Sequence, residues 1–188
     1  MRKVILSMMV SLDGFIEGAN KDIGWHVWDE EMNKYMNDFF TTVDTIILGR
    51  VAYQLLADFW PTPAADTEDP TITHYMNKLP KIVFSRTLST AEWNNSRLVK
   101  DNIEEEVLKL KRQPGSDMVI FGGADIASTF IQHNLIDEFR LVVNPVVLGS
   151  GNSLFRDTKN RLDLKLINTK TFSCGNVLLQ YKPNKKHE

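Results

Sequence analysis

The sequence predicts an α/β protein: a largely parallel sheet covered by helices on both faces, with antiparallel strands at one edge. Three observations carry this. Short, nearly continuous apolar runs mark strands buried on both sides. Amphipathic segments alternate with them, the pattern of strand-helix-strand crossovers. After His133 the helical pattern stops and only strand-like segments follow.

Taken in order, Arg2 to Val10 is an apolar run suited to a central strand. SLDGFIEGANKDIGWHVW follows, too broken by Gly14, Gly18, Asn20, Asp22 and Gly24 for a helix, yet rich in aromatic residues; long loops of this kind tend to be functional. From Asp29 the period changes: Met32, Tyr35, Met36, Phe39 and Phe40 recur at helical spacing, behind Asp29, Glu30 and Glu31 at the positive helix end. Thr45 to Leu48 is a short buried strand, Gly49 a turn, and Arg50 the start of a second helix. Trp60 to Thr71, with three prolines, reads as a surface excursion before a short helix ending at Lys78. Lys81 to Ser85 and Ser96 to Lys100 are strands. Ile103 to Leu110 is a helix whose charges run from acidic to basic, the order favoured by the helix dipole. MVIFGG enters another glycine turn and a helix from Ala124 to His133. Phe139 to Leu148, Leu162 to Phe172 and Val177 to Tyr181 close the chain as strands, with a hairpin turn at Ser173 to Asn176.

The 188 residues suit one domain at about 150 residues each: residues 1–183, followed by a polar tail at 184–188. With 43% hydrophobic and 24% charged residues, the chain can bury a real core. Its 24 acids against 22 bases argue against nucleic acid or a membrane surface as partner. No apolar run approaches the roughly 20 residues of a membrane span. A single cysteine, Cys174, points to a reducing compartment, and the cytoplasm is the expected location. Scattered histidines without ligand spacing give no metal site.

Two strand-to-helix junctions bear on chemistry: Leu48-Gly49-Arg50 and Phe121-Gly122-Gly123-Ala124. At each, glycine removes the Cβ that would hold an anion off the backbone, and the first helical N–H groups lack intrahelical partners. Two such turns can hold the two ends of a diphosphate; tight turns alone would also explain the glycines. Neither matches GxGxxG or GxxxxGK[ST]. A third junction places Ser85, Arg86 and Thr87 after a strand. Arginine and hydroxyl groups suit a 2′-phosphate, so with Arg50 they favour NADP(H) over NAD(H), unless Arg86 is simply an exposed residue.

Five pieces in register, SLDGFI (11–16), LGRVAY (48–53), KIVFSRTL (81–88), FGGADIASTFI (121–131) and PVVLGSG (145–151), resemble the dihydrofolate reductase-like superfamily. Within it they are most similar to the riboflavin-biosynthesis (RibD) C-terminal reductase domain family. The resemblance implies a sheet of about eight strands, the last antiparallel, with NADP(H) across the carboxyl ends. It assigns the cofactor phosphates to Gly49, Arg50 and Val51, and the 2′-phosphate to Ser85, Arg86 and Thr87. The diphosphate or nicotinamide ribose falls to Gly122, Gly123, Ala124, Asp125 and Ile126, with a cis peptide often joining the glycines. Asp13, Gly14 and Phe15 become a lid over the nicotinamide. Asp29 or Glu30 lies near the place of a proton-supplying carboxylate, though acids at a helix start have a structural explanation too. The implied activity is NADPH-dependent reduction of a planar heterocycle, of the 5-amino-6-(5-phosphoribosylamino)uracil or a related pterin or pyrimidine type. The competing class is a nucleotide-binding or regulatory module without turnover. A homodimer is expected, covering Phe139–Leu148 and Val177–Tyr181 as apolar edge strands.

Overall fold

The computed structural model describes residues 1–184; the rest of the expected tail, with His187, lies outside the described residues. From the N-terminus the elements are β1 (Val4–Ser11), β2 (Phe15–Glu17), α1 (Glu30–Phe40), β3 (Val43–Gly49), α2 (Arg50–Phe59), α3 (Pro63–Glu68), α4 (Pro70–Lys78) and β4 (Lys81–Phe84). There follow β5 (Ser96–Val99), α5 (Ile103–Arg112), β6 (Asp117–Ile120), α6 (Ala124–Gln132), β7 (Glu138–Asn144), β8 (Asn152–Ser153), β9 (Leu164–Thr171) and β10 (Val177–Pro183).

Eight strands form one sheet in the order β5-β4-β3-β6-β1-β7-β10-β9, while β2 and β8 pair separately. Seven of the eight β1 residues are buried, and the strand lies inside the sheet, parallel to β6 and β7. Its side chains alternate between two cores, as the strand period demands. Val4, Leu6 and Met8 join α5 and α6 on one face, whereas Ile5 joins α1, α2 and α4 on the other. β3 and β6 do the same, through Ile47, Met118 and Ile120 against Ile46, Leu48 and Val119. Each such side chain contributes about 1.5–3 kcal/mol by leaving water.

The C-terminal strands need a correction of detail. Within the eight-stranded sheet, antiparallel pairing is confined to β10 with β7 and β9. Neither strand expected at an edge is at one: β7 is covered by β1 and β10, and β10 by β7 and β9. The edge falls to β9, whose sequence LKLINTKT leaves seven of eight residues exposed and places lysines along the open side. Apolar strands are drawn inside, and the most polar one takes the solvent position. The Trp60–Thr71 excursion also contains α3. Pro63 and Pro70 occupy the first turns of α3 and α4, where a missing N–H costs nothing, so these prolines start helices instead of breaking them. No helix among the described residues is long and apolar enough to cross a membrane.

Candidate functional site

β3 and β6 are neighbours in the sheet, and the chain leaves them in opposite directions: β3 through α2 toward β4, and β6 through α6 toward β7. In an open α/β sheet such a reversal opens a crevice outside the carboxyl ends of the strands. The two glycine turns close against each other here. A Cβ on Gly49 would lie 3.1 Å from Cβ of Ile126, one on Gly122 3.6 Å from that of Ala52, and Gly123 holds φ +93°. Small residues therefore let the starts of α2 and α6 approach.

These helix starts have open N–H groups. Gly49 and Gly123 are the N-caps and offer no capping side chain, and Asn102 before α5 makes no capping bond either. By contrast, α1 and α4 are capped by Asp29 and Asp69. The starts of α2, α5 and α6 meet around a groove of about 940 Å³. It brings together Gly49, Arg50, Ser85, Arg86, Thr87, Asp125 and Ile126 from the three predicted junctions, and adds Lys100, Asn102 and the exposed Glu104 and Glu105. Lys100 went unnoticed in the sequence because SRLVK reads simply as a strand; the signal was a cation just past a strand end, as at Arg86.

The polar groups there are partly engaged. Ser85 Oγ accepts from the N–H groups of Thr87 and Leu88, at 3.2 and 3.1 Å, so it shapes the turn. Arg86 lies 3.4 Å from Asp101, both exposed; an exposed pair of this kind is worth little and exchanges readily. Asp125 is paired with Arg156. Val51, Gly122, Gly123 and Ala124 back the groove without lining it, and the peptide between the glycines is trans.

The SLDGFI and PVVLGSG pieces prove to be halves of one substructure. The Asp13 carboxylate accepts from Ser11 Oγ (2.7 Å), Gly149 N–H (2.8 Å) and Leu148 N–H (3.1 Å). Those bonds, the one from Ser11 foremost, hold it below the usual carboxylate range. Gly14 (φ +86°) accepts from Leu154 N–H, β2 pairs with β8, and at Gly151 (φ +142°) any Cβ would collide with the Glu17 carbonyl. Asp13 and Gly14 thus pin the loop after β1 and line neither the groove nor the cavity over β1.

On the opposite face a second cavity, of about 500 Å³, lies over Ser7, Met8 and Met9 of β1, between α1, α2 and α4. Its walls are largely apolar: Met36, Phe40, Phe59, Trp60, Met76 and Phe121. Phe121 adjoins the Gly122-Gly123 turn, so only three residues of chain separate this lining from Asp125 in the groove. His26 also lines it; burial pushes its imidazole below the usual histidine range, and its Nε2 has no partner. Val27 beside it is tied down from two sides. Its N–H donates to Oδ1 of Asn144 at 3.0 Å, and its carbonyl accepts from Nδ2 of Asn176 at 2.8 Å. Both asparagines are fully buried.

The carboxylates expected to supply a proton are placed elsewhere. Asp29 caps α1, accepting from Met32 N–H and Cys174 N–H, both at 2.8 Å, and Glu31 accepts from Ser173 N–H and Oγ. These bonds, from Met32 and Ser173 foremost, hold both carboxyls below their usual range. Glu30 is exposed, and neither it nor Asp29 lines the cavity, to which the helix contributes Asn33, Met36 and Phe40. The first turn serves the helix dipole and the 173–176 hairpin, and the face that meets the cavity begins one turn later. Of the nearby aromatic residues, Trp28, Phe59 and Trp60 line the cavity and Trp25 does not.

A family model described as the RibD C-terminal domain matches residues 2–178. The chain is 42% identical over 183 residues to the protein YyaP of Bacillus subtilis (strain 168), covering 97% of this chain and 96% of that one. It is 24% identical over 208 residues to 2,5-diamino-6-ribosylamino-4(3H)-pyrimidinone 5′-phosphate reductase of Aquifex aeolicus (strain VF5), covering 87% and 88%. The fold is similar to that of dihydrofolate reductase from Enterococcus faecalis complexed with NADP(H) and RAB-propyl. That match has a TM-score of 0.64 at 14% identity and covers 97% of each chain.

Proposed function

Because the chain belongs to the RibD C-terminal domain family, we propose that it is an NADPH-dependent reductase of a planar nitrogen heterocycle. The observation that carries this reading is the convergence of three uncapped helix starts with Arg50, Arg86 and Lys100 on one groove, next to an apolar, aromatic cavity. The donor set fits an elongated polyanion: backbone N–H groups at glycine turns for a diphosphate, and cations farther along for a further phosphate. Gly49, Arg50 and Val51, with Gly123 to Ile126, would hold the diphosphate; Arg86, with Ser85, Thr87 and Lys100, would hold the 2′-phosphate.

When bound, NADPH supplies the hydride. The chain's residues bind, orient and exclude water. Phe121, Met36 and Trp60 give the cavity flat apolar walls, and Ser7, His26 and Asn33 supply polar contacts that fix a ring's orientation. Asp13 and the β2–β8 pair steady the loop that leads into His26 and Trp28. We extend the reading to residues 1–183 as one domain working in the cytoplasm as a homodimer. The unpaired thiol of Cys174 and the open edge of β9, with Leu166 and Ile167 half exposed, support this.

Thermal unfolding with added nucleotide tests the cofactor. A ligand at about 100 times its Kd adds about 2.7 kcal/mol, and NADPH is expected to raise Tm more than NADH does. Arg86→Ala should erase most of that difference. No shift with millimolar NADPH would leave a fold without a cofactor and overturn the reading.

A further inference from the structure

The cavity over β1 is walled by two segments with an unusual charge balance. Residues 22–33 supply Ile23, His26, Trp28 and Asn33, and residues 51–77 supply Phe59, Trp60, Glu68 and Asp69, among others. Of the carboxylates in these segments, Glu68 and Asp69 line the cavity; neither segment contains a lysine or an arginine, and Lys21, Lys34, Arg50 and Lys78 lie just beyond their ends. Among the described residues, neither Glu68 nor Asp69 is in an ion pair. Lys34, just past the first segment, pairs with Asp38 instead. With two carboxylates and no cation in its lining, this cavity favours neutral or positive ligands, an effect that low-dielectric walls strengthen.

The mouth repeats the message. Its exposed lining residues are Ile23, Trp28, Phe59 and Glu68, three apolar side chains and a carboxylate, and no described lining residue is a lysine or arginine. A phosphate carried on a sugar beyond a flat ring would have to lie at this mouth. There it would meet a carboxylate and no cation, whereas the groove on the other face offers Arg50, Arg86 and Lys100 alongside Glu104, Glu105 and Asp125. Inside, His26 Nε2 and Trp60 Nε1 are buried without partners, and buried polar atoms of that kind are normally satisfied.

We infer that the substrate taken by this cavity carries no phosphate: it is a flat nitrogen heterocycle, neutral or cationic, whose ring heteroatoms satisfy His26 and Trp60. The inference rests on the cavity being the substrate side of an NADPH reductase. It departs from the phosphoribosylated aminopyrimidine that the family resemblance implies.

The test is calorimetric titration of the full chain with its groove filled by saturating NADP+, using riboflavin against riboflavin 5′-phosphate and uridine against uridine 5′-phosphate. In at least one pair the unphosphorylated member should bind about tenfold more tightly at low salt, with the gap narrowing as salt screens the field. Glu68→Lys, an exposed substitution, should narrow the gap at least about threefold. Equal or tighter binding of the phosphorylated members, no binding of any probe up to about 1 mM, or a gap indifferent to both salt and Glu68→Lys would overturn it. Failure of NADP+ itself to raise Tm would instead sink the reductase reading.

Discussion

Replacing Asn144 by alanine tests how the fold holds the wall of the substrate cavity. The side chain is fully buried at the end of β7; its Oδ1 accepts from Val27 N–H at 3.0 Å, and its Nδ2 faces the carbonyls of Val142 and Val10 at 3.2 and 3.5 Å. Alanine leaves the Val27 N–H without an acceptor, at a cost of about 1–3 kcal/mol. The small void adds on the order of 1 kcal/mol. A total of about 2–4 kcal/mol corresponds to a Tm loss of roughly 5–12 °C for a chain of this length. Val27 lies between His26 and Trp28, so cavity ligands should bind more weakly, while NADPH affinity stays within about twofold because the groove is on the other face. Asn176→Ala removes the second tie, at 2.8 Å to the Val27 carbonyl. Once Val27 is loose, that tie has little left to hold, and the double variant should lose about 1 kcal/mol less than the sum of the singles. Thermal unfolding and ligand titration read all of this. A Tm loss under about 2 °C, additive singles, or equal damage to NADPH binding would refute the reasoning.

Gly49→Ala adds a Cβ 3.1 Å from Ile126 at an ordinary φ of −87°. It should cost about 1–2 kcal/mol by crowding and weaken NADPH about tenfold by covering the backbone; unchanged affinity in an equilibrium titration would count against a phosphate at that turn. Lys81 is fully buried, with Nζ donating to the carbonyls of Leu79 (2.8 Å), Asn94 (2.9 Å) and Asn77 (3.3 Å), and burial brings its pKa down to about 8. Lys81→Met should destabilise by about 2–3 kcal/mol through the orphaned carbonyls. Since the folded ammonium releases its proton near pH 8 and the unfolded one near 10.5, stability relative to the Met variant should rise across that window; a flat difference in denaturant titrations would contradict it. In acid, Asp29 and Glu31 have depressed folded pKa values, so their contribution is present above the unfolded values of 3.8 and 4.5 and is lost as pH falls through the folded ones. His26, also depressed from 6.5, should cost stability as pH falls below that value. Protection against hydrogen exchange at Ser173 and Cys174, relative to the free-amide rate at each pH, should therefore fall below about pH 4, and protection unchanged to pH 2 would exclude these bonds as its source.

Which parts of the molecule were readable in advance follows from the range of the forces involved. Apolar runs such as Val4 to Val10, and periods such as Met32-Met36-Phe39, are local consequences of burial on a strand or one helix face. They yielded the eight strands of the main sheet, five of the six helices and the central place of β1, but not α3 or the β2–β8 pair. Glycine turns into helices are equally local, and the three junctions do meet at one groove. The roles of Asp13 and Asp29 were less legible. A carboxylate's function depends on which N–H groups come within about 3 Å, and those of Gly149 and Cys174 arrive from 136 and 145 residues away.

By itself, then, the chain's composition and periodicity determined an α/β sheet with open helix starts after β3 and β6, because backbone hydrogen bonding and apolar burial act on residues close in sequence. Only the tertiary structure decided that β9 is the edge, that SLDGFI and PVVLGSG form one clasp, and that Asn144 and Asn176 hold Val27. It likewise decided that two stretches free of lysine and arginine face each other across one cavity. Each of these is a pairing of distant segments. Its energy exists only once packing has brought the partners into contact, and no local pattern records which partner that will be.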